Sequence, residues 1–168
     1  MTDSTSPWQE HNWIVHTQIL LDSYYHWVGS PLLPRTGTTE QQAAALFHAP
    51  FVVVSHGTQV DPILNYANQV ALDLWEVDIP TLMKMPSRLT AEPLHRDERA
   101  RLLERTTRDG YVNDYRGVRV SATGKRFLIE QATVWNLISA AGKPVGQAAT
   151  FSAWKSLEPV IDLFRGCC

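Results

Sequence analysis

A chain of 168 residues with 44% hydrophobic and 10% aromatic content suits one domain with a substantial core and no disordered half. A formal net charge of −2 and a pI near 6.3 argue against a nucleic-acid-binding surface. No window approaches the apolar length of a membrane span, and the polar opening Met1-Thr-Asp-Ser-Thr-Ser6 lacks the features of a signal peptide, so a cytoplasmic location is expected.

Residues 1–12 read as a frayed terminus, 13–153 as a single domain including an N-terminal helix, and 154–168 as a helical tail. An amphipathic helix is predicted over Trp8 to Val28, with Trp13, Leu20, Tyr24 and Trp27 on one face. Pro31 and Pro34 follow it and cannot continue it. That aromatic stripe is large for one helix docking on a sheet, so a homodimer through this helix is expected. A short helix follows over Glu40 to Phe47. Phe51 to Ser55 is β-branched and bounded by Pro50 and Gly57, which predicts a strand. After the turn His56 to Pro62 comes a second strand, Ile63 to Tyr66. Asn68 stands at the N-cap of a helix running from Val70 to Val77. Asp78 leads into a short helix over Pro80 to Met85, and Pro86 and Pro93 bracket the loop Ser87 to Glu92.

His95 to Asp109 is the longest later helix, ended by Gly110, with Ala100, Leu102, Leu103 and Thr106 inward. Its arginines alternate with acids, and Asp97–Arg101 and Glu104–Arg108 are spaced to pair on a solvated face. Strands then run over Tyr111 to Ser121, Lys125 to Ser139 and Val145 to Ala153, joined by glycine-bearing turns. The sum is an α+β fold, a five-stranded antiparallel sheet with helices inserted after the second strand and packed on one side. Trp154, Leu157, Ile161 and Phe164 are spaced for a short C-terminal helix.

The motifs Ala49-Pro-Phe-Val-Val-Val-Ser-His56, Asn65-Tyr66-x-Asn68, Ala71-Leu72 and Trp75 resemble the MEKHLA domain family, a PAS-related group. So do Pro86-Ser-Arg-Leu-Thr-Ala-Glu-Pro93, Glu98-Arg99-x-x-Leu102-Leu103 and Phe127-x-Ile-Glu-Gln-Ala-Thr-Val-Trp135. The resemblance spans roughly Trp13 to Phe151 and implies a PAS-like fold with a cavity between sheet and helices. It implies little about activity. The plant members end homeodomain leucine-zipper transcription factors, and neither module is written in this sequence.

Metal binding fails on spacing. His11 and His16 lie five apart, which on a helix rotates them by about 140 degrees from each other, and no His-x-x-x-His pair exists. Phosphate loops and nucleophile elbows are absent, and Ser55 and His56 as strand neighbours point to opposite faces. The two cysteines, Cys167 and Cys168, end the chain, so none is available inside the fold for a flavin adduct, and no histidine suits heme. No cofactor is therefore expected.

What remains is a polar set placed to converge in the cavity: His56, Asn65, Asn68, Arg88, Glu92, Glu130 and Gln131. Arg88 is expected to be buried, with at least two charge-assisted hydrogen bonds to Glu92, Glu130 or a ligand anion. On the Lys125–Ser139 strand, alternation puts Gln131, Thr133 and Trp135 on the bulkier face with Phe127 and Ile129, turned toward the helices. Three functions fit. The first is a stand-alone sensory module binding a small organic molecule or a protein partner. The second is a small lyase or isomerase with His56 or Glu92 as base and Arg88 as anion clamp. The third is an interaction domain with a filled core.

Overall fold

The computed structural model describes residues 6–92 and 95–157. Helix α1 spans His11–Val28; the helix expected from Trp8 is interrupted at Glu10, whose extended backbone separates α1 from a 3-10 turn at Pro7–Gln9. Trp8 instead packs on Phe47 and His48, with centroids 5.0 and 4.5 Å away. α2 (Thr39–Phe47) opens on a reciprocal cap between Thr38 and Gln41. Then follow β1 (Val52–His56), β2 (Leu64–Ala67), α3 (Gln69–Trp75), α4 (Ile79–Leu82), a 3-10 turn at Ser87–Thr90 and α5 (Arg96–Asp109). β3 (Tyr111–Val120), β4 (Arg126–Ile138), β5 (Pro144–Phe151) and β6 (Ala153–Ser156) complete the described chain.

The strands form one antiparallel sheet in the order β2-β1-β5-β4-β3, with β6 also on β4. β6 prolongs β5 past Ser152 without a slip, since Thr133 pairs with Thr150 and Glu130 with Ala153. Trp154 therefore belongs to the sheet and not to the expected C-terminal helix; the rest of that helix, from 158 on, lies outside the described residues.

Helices cover both faces of the sheet, not one. Neighbouring strand residues point opposite ways. Trp135 meets Tyr24 of α1 edge-on at 5.1 Å, while Val134 lines a cavity beneath α5. α1 lays its aromatic stripe on its own sheet: Trp13 packs on Tyr66, and the Trp27 indole donates to the Asn136 carbonyl at 2.9 Å. The residues that motivated a homodimer thus make contacts within the chain, which leaves Val15 and Tyr25 as the exposed large apolar residues of α1.

Two local devices position the cavity. The first is Asn68, fully buried at the start of α3. Its Oδ1 accepts from the Val53 and Ala71 amides, and its Nδ2 donates to the Phe51 and Leu46 carbonyls. One side chain thus caps α3 and ties it to β1.

The second device is a bulge in β4. Gly117 pairs with Ile129 but Tyr115 with Ala132, and Gln131 sits between at a φ of 50°. An extra residue inverts the alternation. Phe127 and Ile129 face inward before it; Ala132 and Val134 do so after it. On α5 the inward face is Arg99, Leu102, Leu103 and Thr106; Ala100 is exposed. Arg108 pairs with Asp109 and Arg105 with Asp114 rather than as expected along the helix. Among the described residues, no helix is long and apolar enough to cross a membrane.

Candidate functional site

The inner face of the sheet, α5 and the 3-10 turn at Ser87–Thr90 line a partly open cavity of about 70 Å³. Val54, Leu64, Ile129, Val134 and Phe151 form its apolar walls, and His56, Ser87, Thr90, Arg99, Tyr115 and Arg119 supply polar atoms. Each arrives by a local rule. His56 ends β1 and pairs with Gln147 of β5. Arg99 lies one turn before Leu102 and Leu103 on the inward stripe of α5. Arg119 and Tyr115 lie on β3, where Gly117 has no side chain, so the Tyr115 hydroxyl crosses the space a Cβ would fill. The Tyr115 ring thereby comes beneath Arg119, whose Cζ stands 5.1 Å from its centroid.

The His56 tautomer follows from its partner. Nδ1 lies 2.9 Å from the Gly57 carbonyl, which only accepts, so Nδ1 carries the hydrogen and Nε2 carries the lone pair. That Nε2 is buried and unpartnered among the described residues. Burial, followed by the charge of Arg99, lowers the His56 pKa against the opposing pull of the Gly57 hydrogen bond, keeping the imidazole neutral. Arg99 is itself lowered to about 10, by burial first and then by Arg119.

α5 is fixed to the sheet beside this cavity. Gln147 Nε2 shares its two hydrogens among the Leu103 carbonyl, Thr107 Oγ1 and Asn136 Oδ1, all within 3.1 Å, and Asn136 Nδ2 donates to the Thr106 carbonyl. These amides satisfy carbonyls near the C-terminal end of the helix. A more open surface hollow beside Thr107 shares His56 and Gln147 with the cavity.

Of the residues expected to converge, the structure brings only His56 to the cavity. Asn65 bonds Ser55 on the α1 face, and Asn68 is the cap described above. Thr133 is half-buried and, with fully buried Trp135, faces α1, because the bulge inverts their side of β4. Gln131, at the bulge itself, is exposed. Glu92 holds Arg126, and Glu130 reaches Arg116 and Lys155 at the surface.

Arg88 is half-exposed and not buried, and its Nε reaches both oxygens of Asp61 at 3.2 Å. The proline-bracketed loop turns this side chain outward, and Arg99 is the arginine that enters. The expected base and clamp of an enzyme therefore do not meet: Arg88 and Glu92 are outside the cavity that His56 lines. A surface pair like Arg88–Asp61 contributes about 0–1 kcal/mol. Urea denaturation of Arg88→Ala should accordingly stay within about 1 kcal/mol of the parent chain.

Sequence reading missed Arg99, Arg119, Tyr115 and Gln147. For Arg99 a signal existed, since positions 99, 102, 103 and 106 repeat at helical spacing.

On the opposite face His16 Nε2 lies 2.9 Å from Ser55 Oγ. Ser55 donates its one proton to Asn65 Oδ1, so it accepts from His16, the reverse of nucleophile activation. Burial lowers the His16 pKa from 6.5 to about 4. The unfolded chain then binds the extra proton, so stability is full above pH 6.5 and declines as pH falls toward 4. A pH series of urea melts should display that decline, and His16→Gln should flatten it.

The comparisons with known proteins agree with this architecture. The profile of the MEKHLA domain matches residues 14–156. The homeobox-leucine zipper protein ATHB-9 of Arabidopsis thaliana is 30% identical over 81 residues, which cover 48% of this chain and 10% of that protein. The chain thus aligns with about a tenth of that relative's length.

Among solved structures, a PAS domain from Colwellia psychrerythraea superposes with a TM-score of 0.58 at 13% identity, covering 70% of this chain and 95% of that one. A light-oxygen-voltage domain studied with a flavin analogue gives 0.54 at 16% identity, over 70% and 85% of the two chains. An RNA-binding light-oxygen-voltage receptor gives 0.55 at 16% identity, over 77% of this chain and 34% of its own. At such identities the likeness carries the fold alone. With the profile spanning nearly all the described residues and the sheet, caps and helices in PAS order, the chain belongs to the MEKHLA domain family and has a PAS-like fold.

Proposed function

We propose that this chain is a sensory module that binds a small organic molecule between the sheet and α5 and passes the occupied state to a partner protein. The observation that carries this reading is the His56 Nε2, a buried acceptor without a partner among the described residues, on a side chain that lines a cavity. Buried polar atoms are normally satisfied, so an orphan on a residue that lines a cavity marks this wall as the place where a bound molecule or water could complete the hydrogen bonding. α5 is the natural reporter, because it contributes Arg99 to the cavity and its far end is latched by Asn136 and Gln147.

The volume of about 70 Å³ is well below the roughly 300 Å³ at which pockets for larger ligands begin, which favours a ligand smaller than a flavin. The small volume is also the observation favouring the second reading, an interaction domain with a filled core.

Native mass spectrometry and a thermal-shift screen of small neutral and charged molecules, run on the full chain, separate the two. The ligand-binding reading expects a bound small molecule or a compound that raises the melting temperature; a screen without any hit supports the filled core. The same spectra report subunit count, which tests the homodimer now that α1's stripe is seen on its own sheet.

A further inference from the structure

We infer that the cavity receives the carboxylate of a short-chain organic acid between Arg99 and Arg119, with the apolar remainder of the acid against Val54, Ile129 and Phe151. The inference rests on the ligand-binding reading above and names its ligand class.

Among the described residues, two guanidinium groups line the cavity and no Asp or Glu does. Arg119 is 7% exposed; its guanidinium lies over the Tyr115 ring and donates to the Val118 carbonyl at 3.1 Å. Arg99 donates to Ser87 Oγ at 2.5 Å. Each guanidinium carries five donor hydrogens, so most have no protein acceptor among the described residues. The surrounding carboxylates are engaged elsewhere: Asp61, whose charge reaches Arg99, is held by Arg88, and Glu92 by Arg126.

Two like charges in one cavity wall raise each other's energy, and for Arg99 burial first and Arg119 second lower the pKa. One anion between them relieves the repulsion and fills both sets of donors. A carboxylate matches the planar fork of a guanidinium. Val54, Leu64, Ile129, Val134 and Phe151 make an apolar wall, which suits a hydrocarbon tail better than the remaining oxygens of a phosphate. The volume sets the length. About 70 Å³ exceeds what one water needs and is about half the ~150 Å³ cavity that holds benzene, which points to acids the size of acetate or propionate.

Calorimetric titration of the full chain with propionate, acetate, propionamide and inorganic phosphate tests this directly. Propionate should bind at least ~10-fold more tightly than propionamide, which has the same shape without the charge, and more tightly than phosphate. Arg99→Gln should weaken propionate at least ~10-fold, whereas Arg88→Gln, outside the cavity, should leave it unchanged.

The inference is overturned if propionamide matches propionate, or if phosphate binds more tightly than either acid; in both cases the ligand-binding reading survives. Failure of all four probes also overturns it, and the ligand-binding reading falls with it only if the neutral and charged screen is empty too. The wild-type comparison of acid with amide decides the question even if an arginine variant fails to fold.

Discussion

Asn68→Ala is expected to destabilise the chain by about 3–4 kcal/mol. Loss of the α3 cap accounts for about 1 kcal/mol, and the rest comes from leaving buried groups of Val53 and Phe51 without a partner, at roughly 1–3 kcal/mol each. For a domain of this size that corresponds to a melting temperature lower by roughly 10 °C. Asn68→Ser is the informative control, because its hydroxyl keeps an N-cap acceptor for the Ala71 amide and gives up the donations to Phe51 and Leu46 without burying a charge. It should fall between the two. Differential scanning calorimetry of the three proteins checks the order; an alanine variant within 1 °C of the parent would mean that the cap and strand tie carry no weight.

Gly146→Ala should be as damaging, for a different reason. Gly146 has a φ of 149°, a region nearly closed to residues with a Cβ, and an added Cβ would stand 2.1 Å from the His56 carbonyl oxygen. That atom is backbone, so β1 itself has to move where it meets β5. Strain and displacement together should cost about 3 kcal/mol or more. The shift is centred on His56, so any ligand binding that depends on this residue should weaken beyond the loss of stability. Urea melts read the first effect, and calorimetric titration below the melting temperature reads the second. A variant as stable as the parent would contradict the close approach of the two strands.

Much of the fold is legible because its signals are local. Phe51 to Ser55 is β-branched and bounded by a proline and a glycine, Asn68 and Asp78 are capping residues ahead of apolar runs, and Gly110 follows the last turn of α5. Each predicts an element that the structure contains, within one or two residues at most ends. The cavity is less legible because its determinants are not local. A single extra residue at Gln131 decides which face of β4 looks inward, and nothing in the alternation around it announces a positive φ. Simple alternation therefore groups Gln131, Thr133 and Trp135 with Phe127 and Ile129, whereas the bulge puts Thr133 and Trp135 on the α1 face and leaves Gln131 exposed.

Arg99 is hidden by its setting. It lies among arginines and acids that read as a solvated face, and only its spacing from Leu102, Leu103 and Thr106 sets it apart. Arg88 misleads for the opposite reason: apolar neighbours in sequence suggested burial, yet a 3-10 turn points it to Asp61 at the surface. His56 stands beside an apolar run, at the start of the expected turn; in the structure it is the last residue of β1, and alternation along that strand puts it on the same side as Val54.

The central claim is that the inner face of the sheet, at His56, is where a ligand binds. Nitrogen-15 and methyl NMR of the full chain during titration with propionate tests it most directly. The account predicts a His56 ring with hydrogen on Nδ1, an Nε2 resonance that moves on titration, and shifts in the methyl groups of Val54, Ala132 and Val134. His16, on the other face of the sheet, should remain still. Shifts confined to His16 and α1, or a His56 ring that is protonated on Nε2 and unmoved at saturation, would contradict it.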